Sequence, residues 1–259
     1  AALVEKELPK WGIAVRVLPF RTVRSWPTGI RHLLYFLKSF FLAFGRDVVF
    51  AQDTISVGLP VMLAAKLLRK KLIIRVPGDY VWEQAVQRWG VKEGIDDFQN
   101  KKYGRRVELM RKIQKWVVGS ADLVITPSRY FQKLVSGWVR NKEKVRVIYN
   151  GIDLQYQVSG IKYQERGKII LSAGRLVPWK GFDTLIELMK ELPDWKLVIA
   201  GDGPDRERLE LGIRNLELRD RVTLIGSISR EELLQYLGGA SVFVLNTSFE
   251  SFSFQIVEA

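Results

Sequence analysis

Glu250 and Glu258 stand eight positions apart near the end of the chain, behind an apolar run, Ser241 to Leu245, that closes on Asn246-Thr247-Ser248. Carboxylates accept hydrogen bonds from hydroxyls, and eight helical residues rise about 12 Å at ~1.5 Å each. That is the reach from a sugar ring, across a diphosphate, to a ribose. A strand that ends in a small polar turn opening a helix is where open α/β sheets hold ligands, and this pattern puts Glu250 at the helix mouth. Two solvated glutamates at a chance spacing are the plain alternative.

Upstream, Lys168 to Ala173 reads as a buried strand running into Gly174-Arg175-Leu176-Val177-Pro178-Trp179-Lys180-Gly181, with a helical pattern from Phe182. Arg175 offers a planar fork of donors that can grip two phosphate oxygens, and Lys180 adds a compact charge near a helix start. A diphosphate needs such partners where no metal serves it, although an Arg and a Lys at this spacing also fit an ordinary surface pairing.

Those residues require elements to hold them. A third strand, Trp195 to Ala200, ends in Gly201-Asp202-Gly203-Pro204-Asp205; a fourth, Val222 to Ile225, ends in Gly226-Ser227 before a helix through Glu231-Glu232-Leu233-Leu234. Strands alternating with helices at this spacing indicate a parallel sheet. Gly201 and Gly203 allow close approach by a flat base or a phosphate, or serve as plain turn residues.

Together these residues resemble the GT-B-fold glycosyltransferases of the family 4 type (glycosyl transferases group 1). The Arg175…Lys180 loop, the Gly201-to-Pro204 turn and the Glu250/Glu258 pair stand in that family's order. The likeness extends over nearly the whole chain, through Asp47 to Asp53, Ala121 to Ser128, and Val147-Ile148-Tyr149-Asn150-Gly151-Ile152-Asp153. It implies an α/β GT-B fold, two Rossmann-like domains whose parallel sheets face a cleft. It also implies a retaining, metal-independent enzyme moving a sugar from a nucleotide-diphosphate sugar to a saccharide or lipid-linked acceptor. In that reading Arg175 and Lys180 hold the diphosphate, Glu250 contacts the transferred sugar, Glu258 binds the ribose and Gly201 and Gly203 border the base. The nucleotide sugar is a co-substrate, and no cofactor or metal is expected.

One departure concerns Lys71 to Asp79, where many such enzymes carry a His and this chain has none. Asp79 stands where an acceptor-facing polar group is expected, with Glu83 one turn on; as a helix N-cap it would satisfy early N–H groups instead. The sole His, His32, lies in a helical pattern far from these loops and reads as structural or solvated.

The expected domains are residues 1–160, an acceptor-side Rossmann-like domain, and 161–259, the nucleotide-sugar domain, with an aperiodic hinge at 155–167. A helix over Ala1 to Lys10 should feed a strand, Ile13 to Leu18. The pattern reads as an internal fragment lacking the first strand and the closing elements of the second domain; exposed apolar faces and open edges make it poorly stable and inactive by itself.

The chain has 259 residues, no Cys and a net charge of +13. The absence of Cys excludes disulfides and thiolate metal sites. Residues 1–160 hold 28 Lys and Arg against 13 Asp and Glu, and residues 161–259 hold 13 against 15, so the excess lies in the first domain. An anionic acceptor or membrane surface fits that asymmetry, with Arg69-Lys70-Lys71 and Lys101-Lys102 with Arg105-Arg106 as contact points; ordinary solvated faces fit it too. The implied location is cytoplasmic, with peripheral attachment at the inner membrane face. Ile30, Leu33, Leu34, Leu37, Phe40, Phe41 and Phe44 recur at helical spacing and are expected to pack a core, with a membrane-surface helix as the alternative. Basic stripes with Trp82, Trp89, Trp116 and Trp138 raise a nucleic-acid binder, but no nucleic-acid motif is present. A nucleotide-sugar epimerase or a non-catalytic relative shares the architecture.

Overall fold

The computed structural model describes residues 2–151 and 167–259. The hinge expected at 155–167 falls almost wholly outside the described residues, as do Ile152 and Asp153 and the side chain of Glu258.

In chain order the elements are α1 (Ala2–Glu7), α2 (Thr28–Ala43), β1 (Val48–Ala51), α3 (Gly58–Leu67), β2 (Lys71–Arg75), α4 (Tyr80–Trp89), α5 (Ile95–Asn100), α6 (Arg105–Ser120), β3 (Leu123–Thr126), α7 (Arg129–Ser136) and β4 (Val145–Val147). Then follow β5 (Lys168–Ala173), α8 (Phe182–Leu188), β6 (Trp195–Ala200), α9 (Arg206–Asn215), β7 (Val222–Gly226), α10 (Arg230–Gly239), β8 (Val242–Phe243) and α11 (Phe254–Glu258). Contacts divide the chain into two compact units, Ala1–Glu83 with Lys101–Tyr149, and Gln84–Asn100 with Asn150–Ala259.

In the first unit the sheet order is β1-β2-β3-β4, all parallel. The expected strand from Ile13 to Leu18 is absent: residues 13–19 carry neither helix nor strand. Residues 13–19 pair with none of the four strands of this sheet, and a strand exists only when another pairs with it. Helix α2 also departs from expectation. Its buried positions are Tyr35, Ser39 and Ala43, whereas Ile30, Leu33, Leu37, Phe41 and Phe44 face outward. Trp82 and Trp138 are core residues, while Trp116 is half exposed beneath the Lys66 ammonium, 5.4 Å from its ring centroid.

In the second unit the order is β7-β6-β5-β8, again parallel. Alternate residues of β5 and β6 enter two cores. Ile170, Leu197 and Ile199 pack with Phe182, Ile186, Met189 and Leu209 on one face. Ile169, Leu171 and Val198 pack toward Leu233, Leu237 and Phe243 on the other. Burial on both faces is why β5 and β6 read as unbroken apolar runs. A capping box fixes the start of α10: Ser229 Oγ accepts from Glu232 N–H and Glu232 Oε2 accepts from Ser229 N–H.

Candidate functional site

The topology of the second unit singles out one end of its sheet. From β5 the chain adds β6 and then β7 on one side, and returns to lay β8 on the other. Ligand crevices of open parallel sheets lie beyond the strand carboxyl ends where the order reverses. Here that point lies between β5 and β8, whose following loops are residues 174–181 and 244–253.

Hydrogen bonds weld those two loops. Val244 N–H donates to the Leu171 carbonyl at 2.8 Å and Ser172 Oγ to the Val244 carbonyl at 2.7 Å, which extends the short β8 pairing. Ser248 N–H (2.9 Å) and Thr247 Oγ1 (3.1 Å) both donate to the Trp179 carbonyl, and Asn246 Nδ2 donates to the Gly181 carbonyl at 3.0 Å. The Asn246-Thr247-Ser248 turn thus clasps the stretch holding Lys180. Lys180 Nζ forms an ion pair with Glu250 Oε2, their side chains 12% and 27% exposed. Partial burial shields this pair from the screening that weakens exposed ones.

The glycine-rich turn after β6 forms the floor of the Arg175 loop. Leu176 N–H donates to the Asp202 carbonyl at 3.0 Å and Asp205 N–H to the Leu176 carbonyl at 3.1 Å. A Cβ on Gly201 would strike the Gly174 carbonyl, and one on Gly203 the Leu176 carbonyl; Gly201 also has φ +137. Both glycines are therefore required by loop-on-loop packing, quite apart from any base they border. Arg175 itself is exposed, and its Nη2 lies 3.4 Å from Oε1 of Gln87, within the 84–100 stretch that packs with the second unit.

Two expected features differ. The last helix begins at Phe254, capped by Ser253 Oγ accepting from Ile256 N–H, so Glu250 sits four residues before it in the loop. Its separation from Glu258 is not eight helical rises. The turn residues clasp Trp179 and Gly181 instead of opening a helix directly.

Asp79 belongs to a different environment. Its carboxylate is 1% exposed and accepts from Val81 N–H and Trp82 N–H at 3.1 Å each and from Gln114 Nε2 at 2.9 Å. Gln114 Oε1 in turn accepts from Thr54 Oγ1 at 3.1 Å. Of its two readings, these contacts support the helix cap: Oδ1 of the buried carboxylate takes both helix N–H groups and the Gln114 amide. The signal was present in the sequence, because Asp79 precedes a helical pattern directly.

Sequence reasoning passed over Asp53, beyond the end of β1. Burial pushes its carboxyl above the usual range, opposed by hydrogen bonds from the N–H groups of Ile55, Val57, Ser56 and Gly58 at the start of α3. Burial also raises the Tyr35 phenol to about 12, with the Asp53 charge adding to the shift. Among the described residues, no three His, Asp or Glu side chains cluster as metal ligands.

Residues 2–156 match the family profile described as Glycosyltransferase Family 4, and residues 158–259 match Glycosyl transferases group 1. Similar curated proteins include an uncharacterized glycosyltransferase of Methanocaldococcus jannaschii, 32% identical over 52% of this chain and 39% of its own length. D-inositol 3-phosphate glycosyltransferase of Mycolicibacterium smegmatis is 30% identical over 56% of this chain and 37% of its own. The matched part of the chain spans well under half of these curated relatives. Among solved structures, Anabaena Alr3699/HepE in complex with UDP-glucose aligns over 99% of this chain and 67% of its own, with TM-score 0.69 and 20% identity. The two parallel sheets and their flanking helices are those of the GT-B fold.

Proposed function

Starting from a chain that belongs to glycosyltransferase family 4, we propose that it serves a retaining transferase moving a hexosyl group from a nucleotide-diphosphate sugar to a saccharide or lipid-linked acceptor. The observation that carries this reading is the Lys180–Glu250 pair at the strand-order reversal, a cation and a carboxylate locked side by side by the clasped loops. A cation there suits the diphosphate and a carboxylate suits the sugar hydroxyls.

In the proposed reaction the bond from the sugar anomeric carbon to the diphosphate oxygen breaks and a bond to the acceptor oxygen forms on the same face. The acceptor's proton passes to the departing phosphate. Arg175 and Lys180 stabilise the charge growing on that diphosphate, an electrostatic contribution made where charge develops. Glu250 orients the transferred sugar, Glu258 holds the ribose, and the Gly201-to-Gly203 turn borders the base. No metal is assigned a step, so chelators should leave turnover intact. Asp79 holds α4 in place and is not given the acceptor.

The basic residues 1–160 support a peripheral site at an anionic membrane, on the cytoplasmic side in this proposal. Incubating the protein with a panel of nucleotide sugars, with and without lipid and saccharide acceptors, tests the reading. Nucleotide release that depends on acceptor supports it. Donor conversion with no acceptor would instead mark an epimerase, and binding without conversion a non-catalytic relative.

A further inference from the structure

The two cations of the 174–181 loop are held in different ways. Lys180 is ion-paired with Glu250, whereas no carboxylate among the described residues meets the Arg175 guanidinium. The backbone on either side of Arg175 is pinned. Gly174 N–H donates to the Ala200 carbonyl at 2.9 Å and Leu176 N–H to the Asp202 carbonyl at 3.0 Å, and Leu176 and Val177 are buried. The side chain itself is exposed, long and rich in rotamers, and the hydrogen bond it makes is to an amide: Nη2 donates to Gln87 Oε1 at 3.4 Å.

Gln87 rests on a packed base. It lies in α4, whose part from Gln84 onward belongs to the second compact unit together with Arg175, and in that stretch Ala85, Ile95 and Phe98 are buried. Its Nε2 is buried as well and has no hydrogen-bond partner. A buried amide N–H without an acceptor lowers stability, so an apolar side chain of the same length would suit the packing better. What glutamine adds over such a residue is the oxygen that meets the guanidinium.

The chemical type of that oxygen matters. A carboxylate in its place would pair with Arg175 and offset the charge an anion needs, and an apolar group would leave the guanidinium unoriented. A neutral amide oxygen orients the fork and leaves its charge uncompensated. Ordering a rotamer-rich side chain in advance removes that entropy loss from the binding step.

We propose that Gln87 is a positioning residue for Arg175: its amide oxygen takes one guanidinium N–H and so directs the remaining donors to the diphosphate of a nucleotide sugar. This rests on the reading of Arg175 as a diphosphate ligand, and it adds to that site a residue from a helix outside every loop motif.

Isothermal titration calorimetry of the chain with UDP, GDP, ADP and inorganic pyrophosphate tests it, the tightest binder of these serving as the probe. Gln87→Met, which keeps the length and removes the oxygen, should weaken binding roughly tenfold, the scale of one hydrogen bond to a charged group. Its thermal midpoint should equal or exceed that of wild type, since the buried N–H lacking an acceptor is gone. In an Arg175→Ala background the same substitution should change affinity no further, because it acts through the arginine. Gln87→Leu repeats both measurements should the Met variant misfold. Wild-type affinity in the Gln87 variants, an equally large loss in the absence of Arg175, or weaker binding accompanied by a lower midpoint overturns the proposal. If wild type binds none of these diphosphates, or Arg175→Ala binds as wild type does, the diphosphate reading itself fails and the role of Gln87 falls with it.

Discussion

Lys180 and Glu250, 70 positions apart, meet as an ion pair above the carboxyl ends of β5 and β8. Neither loop alone places these side chains together. The parallel pairing of Ile170 with Val242 and Leu171 with Phe243, continued by the clasp on Trp179, does so.

Lys180→Ala should lower kcat/KM about 10²- to 10³-fold, the scale of removing one oriented donor from developing charge, with folding retained. Steady-state kinetics and circular dichroism check both. Lys180→Ala together with Glu250→Ala should cost less than the sum of the single losses, since each residue acts through the other; strictly additive losses would refute a working pair.

Replacing Asp79 by Ala should destabilise the first unit by about 2 kcal/mol or more, because two helix N–H groups and the Gln114 amide lose a buried acceptor. Asp79→Asn, which keeps one acceptor oxygen, should cost less. Urea midpoints give the comparison, and equal stability of the Ala variant and wild type would disprove the cap.

Gly201→Ala forces a side chain into the Gly174 carbonyl at positive φ. A loss of about 1–3 kcal/mol in stability is expected, with weaker nucleotide-sugar binding because the Arg175 loop rests on this turn. Gly212→Ala, where a Cβ meets open space inside α9, should be neutral or stabilising. Thermal melts of the two variants separate packing from composition.

Asp53 gives a pH signature of definite sign. Its folded-state carboxyl is raised above the ordinary 3.8 by burial, so the folded state holds its proton to higher pH than the unfolded chain. The associated stability is present below the unfolded value and is lost as pH rises through the folded one. Asp53→Asn, which cannot ionise, should therefore gain on wild type as pH climbs from about 4 and then run parallel. Denaturation curves across that window would show a flat difference if the residue were not buried.

Much of the architecture could be read along the chain, and the physical cause is local. The runs Lys168–Ala173 and Trp195–Ala200 are buried on both faces, so unbroken apolar sequence marked them fully. Family membership was legible too, because the Arg175, Gly201 and Glu250 motifs each lie in one short stretch. Tertiary structure alone decided the rest. Ile13 to Leu18 has strand-like composition but no ladder partner. The side of α2 that meets the protein was set by packing against α3, which leaves the stripe of Ile30, Leu33, Leu37 and Phe41 outside, a choice that periodicity alone cannot make. Which carboxylate meets Lys180, and that Asp79 is buried with Gln114, depend on contacts between residues far apart in sequence, formed only when the sheets assemble.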